Sequence, residues 1–217
     1  MGFFDRPPPV TRPERERPRR PRPAWIKPEA ALPGVVAAEL VLARAPDAAV
    51  AVIGLSAYPA GFEFSICAVL REDRRRPWPD WVMHHTPDEF RNEALPDEFL
   101  RVGVQFSDGR AATNAGPGPF WSLEVEPTGP LLLPDGGGGS ARRHDMTYWV
   151  WPLPPPGPVT LVCEWPAFRI DESRADIDAQ LILDAAARAT QIWPESDDPE
   201  NDQASAVAWL HESGLEP

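Results

Sequence analysis

Proline occupies 29 of 217 positions, far above its usual share of about 5%, and this excess limits what the chain can fold into. A proline donates no backbone hydrogen bond and holds φ near one value, so it ends helices and is confined to turns and sheet edges. Short extended runs between proline- and glycine-bearing turns are the architecture this leaves open. The first stretch cannot supply even those. Residues 1–23 are rich in arginine and proline, with no apolar side chain between Val10 and Ala24, and they cannot bury enough surface to offset their ordering entropy. They read as a disordered tail.

From residue 24 onward extended runs recur about every ten residues. The runs are 35–43, 48–57, 62–70, 99–106, 110–113, 121–125, 146–153 and 159–165. Phe62, Phe64, Ile66, Ala68 and Leu70 alternate with Glu63, Ser65 and Cys67, the pattern of a half-buried strand. Tyr58-Pro59-Ala60-Gly61 and Asp108-Gly109 carry the chemistry of tight turns between antiparallel strands. Pro154 to Pro158 reads as a rigid hairpin-like connection between the last two runs. No helical crossovers separate the strands, so a parallel α/β sheet is not expected. The expectation is a mainly β protein, an antiparallel β-sandwich with an open β-barrel as the alternative, spanning residues 24–193.

Three departures from that pattern are expected. Residues 71–98 read as a long inserted loop, with a short helix over 88–95. Residues 173–190 read as an α-helix packed on the sheets, because Ile177, Leu181 and Ala185 recur at four-residue steps beside Ile182, Ala186 and Ala189, with Ser173 as N-cap and Asp176 in the first turn. Residues 194–217 read as an acidic tail with a short helix around Val207, Trp209 and Leu210.

The string Tyr148-Trp149-Val150-Trp151-Pro152-Leu153-Pro154-Pro155-Pro156-Gly157-Pro158, with Cys163-Glu164-Trp165-Pro166 after it and Asp108-Gly109-Arg110-Ala111-Ala112-Thr113 before it, resembles segments of an uncharacterised family of actinobacterial proteins. The resemblance spans about residues 99–193 and implies no activity, cofactor or catalytic residue. A high-GC genome fits the basic residues, 21 in number with Lys27 the one lysine.

Charge narrows the partners. Residues 1–23 hold seven arginines against Asp5, Glu14 and Glu16, a balance of +4 within a net −12, which leaves −16 on the rest. A remainder of that charge lacks the clustered cations that neutralise phosphates, so nucleic acid is not expected on the folded domain within it. No apolar run reaches the ~20 residues of a membrane-spanning helix, and no leading apolar segment suggests export. With only Cys67 and Cys163 present, a reduced, cytoplasmic setting is the expectation.

One cluster could carry chemistry. Arg142, Arg143, His144 and Asp145 follow the glycine run 136–139 and precede Tyr148, Trp149 and Trp151. A mobile loop presenting arginines beside aromatic rings could hold an anionic or aromatic ligand. The plainer account is a flexible loop entering a strand whose indoles fill the core. Neither a catalytic residue nor a metal ligand is assigned, and no cofactor is expected. Gly136 to Gly139 lack the Lys-Ser/Thr and helix onset of a phosphate loop. His84 and His85 lack metal-ligand spacing, and the cysteines form no CxxC pair. A triad of Ser140, His144 and Asp145 is disfavoured because neighbours in sequence seldom converge as a triad must. Trp78 and Trp81, in the inserted loop, are the remaining binding candidates, since tryptophan is enriched at interaction hot spots.

The reading that emerges is a non-catalytic binding module with a protein as partner. An enzyme or small-anion binder with a pocket around 142–151 is one alternative, and a subunit of a larger assembly is another.

Overall fold

The computed structural model describes residues 23–72, 94–116 and 127–193. Trp78, Trp81, Trp121, the expected helix over 88–95 and both tails lie outside the described residues, apart from Pro23, Ala94 and Leu95, none of which is helical.

The described chain is an antiparallel β-sandwich with one α-helix. Its strands are β1 (Ala31–Leu32), β2 (Gly34–Val36), β3 (Leu40–Arg44), β4 (Ala48–Ala57), β5 (Phe62–Leu70), β6 (Arg101–Gln105), β7 (Ala111–Thr113), β8 (Leu131–Gly139), β9 (Arg143–Trp151), β10 (Pro158–Trp165), β11 (Ile170–Asp178) and β12 (Thr190–Gln191), with α1 at Ala179–Ala187. The larger sheet runs β2-β4-β5-β9-β8, with β3 also on β4, and the smaller runs β11-β10-β6-β7. A two-stranded ribbon joins β1 to β12.

Side-chain parity sets the register. On β5 the buried series Phe62, Phe64, Ile66, Ala68, Leu70 never breaks step, whereas on β4 it runs Ala48, Val50, Val52 and then Leu55, Ala57. An extra residue must be absorbed for both series to face the same core, and the register indeed shifts between Val52 and Gly54. The turn at 58–61 closes with the Tyr58 N–H donating to the Gly61 carbonyl at 2.8 Å. The β6–β7 hairpin turns through Gly109, at φ 86°, where a side chain would be strained.

The core lies between the two sheets. Phe64, Ile66, Tyr148 and Val150 from the larger sheet meet Val104, Leu161, Cys163 and Trp165 from the smaller. Among the described residues, the buried polar side chain of Asn114 ties the layers together. Its Oδ1 accepts from the Val102 N–H at 2.7 Å, and its Nδ2 donates to the Leu100 carbonyl at 3.0 Å and to the Tyr148 hydroxyl at 3.2 Å.

Four expectations need correction. The helix begins at Ala179 rather than 173, because residues 170–178 form β11. There Ser173, Ala175 and Ile177 pair with Cys163, Leu161 and Val159 while Glu172, Arg174, Asp176 and Asp178 are exposed. Its N-cap is Asp178, whose carboxylate accepts from the Gln180 N–H at 2.9 Å. The Pro154–Pro158 segment is not a hairpin, since β9 and β10 belong to different sheets. The run 35–43 is two strands, β2 and β3, on separate parts of β4. The glycines 136–139 belong to β8 rather than to a free loop. The helix does approach the sheet closely: a Cβ on Gly34 would fall 1.9 Å from the Ala185 carbonyl oxygen.

Candidate functional site

Strand alternation disperses the sequence cluster. Arg143 to Asp145 lie on β9, so neighbouring side chains leave by opposite faces. Arg143 and Asp145 share the outer face and pair there, Nε donating to Oδ1 at 2.8 Å and Oδ2 at 3.1 Å. His144, on the opposite parity with Met146 and Tyr148, stands in register with Ala68. Arg142 turns back to β5, its Nε 3.4 Å from the Leu70 carbonyl. Four groups divided in this way do not converge on one ligand.

The two indoles of the cluster share the outer face of β9 with Arg143, and here the structure builds a site. The segment 24–33 forms a strap across this face. The Trp149 Nε1–H donates to the Trp25 carbonyl at 2.9 Å, and Tyr58 meets the Trp149 ring edge-on at 5.6 Å. The Trp25 ring sits edge-on to Trp151 at 6.4 Å. Ala31, Tyr58 and Trp149 form a second small core, with Leu133 and Trp151 against it. A buried indole keeps its apolar area only if its N–H finds an acceptor, and the strap's backbone supplies one.

Beside that core lies a charged latch that the sequence reading missed. Lys27 donates to Glu63 Oε2 at 2.5 Å and to Asp135 Oδ2 at 2.6 Å, and its ammonium stands 5.3 Å from the centre of the Tyr58 ring. Tyr58 also donates to Glu63 Oε1 at 3.3 Å. Burial disfavours the Lys27 charge, yet Asp135 and Glu63 outweigh it and hold the group above its usual range. Burial, and then the nearby Glu63, raises the Tyr58 hydroxyl. The available signals were Lys27's status as the only lysine and Glu63's place on the polar face of β5. Their meeting depends on a strap that local pattern does not locate.

Beyond the strap, the described residues of this outer face are a mixture, with Cys67 at its centre only 5% exposed and large apolar side chains exposed around it. Val41, Ile53 and Val69 are 64%, 39% and 36% exposed. In register, Val41 stands opposite Ala51, Ala51 opposite Cys67, and Cys67 opposite Asp145, while Ala49, Val69 and Arg143 form the next row. Desolvation raises the Cys67 thiol on this face, and in the main core it pushes Cys163 up to about 12. Both cysteines are free and neither is held as a reactive thiolate. Among the described residues, no three His, Cys, Asp or Glu side chains gather as a metal site requires, and no helix is long and apolar enough to cross a membrane.

Fold and site together define an antiparallel β-sandwich with one outer sheet face half strapped and half open. No protein-family model matches the chain, and neither a curated protein nor a solved structure matches it.

Proposed function

We propose that the chain is a non-catalytic binding module whose protein partner docks on the open outer face of the larger sheet. The observation that carries this reading is the exposure of three large apolar side chains of the larger sheet, Val41, Ile53 and Val69, with Val41 and Val69 in adjacent rows of its outer face. Exposed apolar side chains grouped on one face and bordered by charge mark interaction surfaces, and here the Arg143–Asp145 pair lies at the border. The proposed surface is a strand face; the aromatic loop of Trp78 and Trp81 expected from sequence lies outside the described residues. The −16 charge on residues 24–217 argues against nucleic acid as the partner, and two unpaired, buried cysteines fit a cytoplasmic setting.

The test is affinity capture from extracts of the source cells, with tagged full-length chain beside its Val41→Asp/Val69→Asp variant. Both positions are exposed, so the variant keeps its fold and its circular dichroism. A protein retained by the native chain and lost by the variant is the expected result. A native chain that retains nothing specific, or a partner indifferent to the two aspartates, overturns the reading.

A further inference from the structure

The strapped half of the outer face has the composition of a recognition site. Three chemically distinct features of one short segment are each read by a different wall. The Trp25 carbonyl is read by an indole N–H, at 2.9 Å. The Trp25 ring is read by the edge of Trp151, at 6.4 Å. The Lys27 ammonium is read by two carboxylates and a tyrosine face, at 2.5, 2.6 and 5.3 Å. A turn presents the segment, with the Ile26 N–H donating to the Pro23 carbonyl at 3.0 Å.

The walls come from β4's end, β5, β8 and β9, all distant from the strap in sequence, and those strands pair with one another independently of it. Part of the strap is held by this groove and part by the β1–β12 ribbon, where the Ile192 N–H also donates to the Ala30 carbonyl at 2.7 Å. The contacts of residues 25–27 with the groove are thus separate from the ribbon's hydrogen bonds, although Ala31 of the ribbon packs on Tyr58 and Trp149. Edge-on aromatic packing, a backbone acceptor and a charge-assisted pair are contacts by which grooves read peptides.

We propose that the groove lined by Tyr58, Glu63, Asp135, Trp149 and Trp151 is a peptide-recognition site, occupied in this structure by the chain's own Trp25-Ile26-Lys27. From a protein partner it takes a segment with an aromatic residue two positions before a lysine. The inference rests on the binding-module reading and specifies its partner. The strap is then a resident competitor, and the native chain's affinity for such a segment is lowered by the fraction of molecules in which the groove is open.

The probe is a labelled synthetic peptide of residues 23–29, Pro-Ala-Trp-Ile-Lys-Pro-Glu. It is titrated against the full-length native chain and the full-length Trp25→Ala/Lys27→Ala variant. Saturable binding to the variant at least tenfold tighter than to the native chain is expected. Adding Glu63→Gln and Asp135→Asn to that variant, or replacing the peptide lysine by norleucine, is expected to weaken binding tenfold or more. A folded variant that ignores the peptide, or binds it equally well without the carboxylates, overturns the proposal. If the double variant does not fold, Lys27→Ala alone, which keeps Trp25 and Ala31 in place, is read by the same two outcomes. Strap exchange between copies shows instead as a dimer of the native chain that excess peptide does not dissociate, and it also overturns the proposal. The module reading stands or falls separately, on capture through Val41 and Val69. A failed peptide titration with a successful capture removes the groove proposal alone.

Discussion

The two faces of β9 lead different lives. Met146, Tyr148 and Val150 point into the buried apolar interface between sheets, where the polar contact with Asn114 is satisfied on several sides. Thr147, Trp149 and Trp151 point outward: the Thr147 hydroxyl meets Ser65 at 2.8 Å, and the indoles lie beneath a strap latched by Lys27. The inner face draws its stability chiefly from apolar area, which ionic screening does not weaken. The outer face couples apolar area to exposed charge. One strand thus anchors two interfaces of different make-up, and the outer one is expected to open locally at a free energy below that of global unfolding.

The largest expected effect lies on the inner face. Phe64→Ala deletes a ring with no solvent exposure and is expected to cost about 3–5 kcal/mol in denaturant unfolding. Trp149→Ala is the contrasting probe. It is expected to speed amide exchange in residues 24–32 far more than it lowers the denaturation midpoint. Equal global losses from the two substitutions would mean that the strap belongs to the main cooperative unit.

A smaller effect is expected at the clamp between the sheets. Asn114→Ala leaves the Val102 N–H and the Leu100 carbonyl without their side-chain partner in a buried setting, a loss of about 1–3 kcal/mol. The loss should appear in global unfolding with strap exchange unchanged relative to the rest of the sandwich. Faster exchange confined to the strap would show that the clamp is wired to the outer face instead.

What could be read in advance follows from where the information is local. β4 and β5 were legible to the residue, since β-branched and aromatic side chains alternate there and Pro59-Ala60-Gly61 ends the first run. The boundary between β11 and α1 was not. Ile177 serves a period of two with Ala175 and Ser173, and a period near four with Leu181 and Ala185. The inward residues at 173 and 175 are too small to make the strand pattern plain. The proline-rich 154–158 link looks the same whether it joins partners in one sheet or crosses between two. Trp149 was expected in the core and is buried, but in a separate small cluster. Lys27 and Glu63 are 36 residues apart, and nothing within either neighbourhood announces the other.

The smallest effect separates the faces most sharply. Lys27 is 26% exposed and its partners Glu63 and Asp135 are 17% and 37% exposed, so Lys27→Met is expected to lower global stability by about 1 kcal/mol or less. The outer face should respond more strongly, with faster exchange at residues 24–32 and a larger response to 1 M salt in the native chain than in the variant, because salt screens partly exposed pairs. The pH dependence has a definite sign. The folded-state pKa of Lys27 lies above the usual lysine value, so its contribution is complete below about 10.4. It is lost only as pH climbs through the higher folded value. Native strap protection should therefore hold from neutral pH to about 10 and fade above it, while the Lys27→Met strap shows no such fade. If native and Lys27→Met straps exchange alike at neutral pH, the latch contributes nothing, and the outer face is held by its indoles alone.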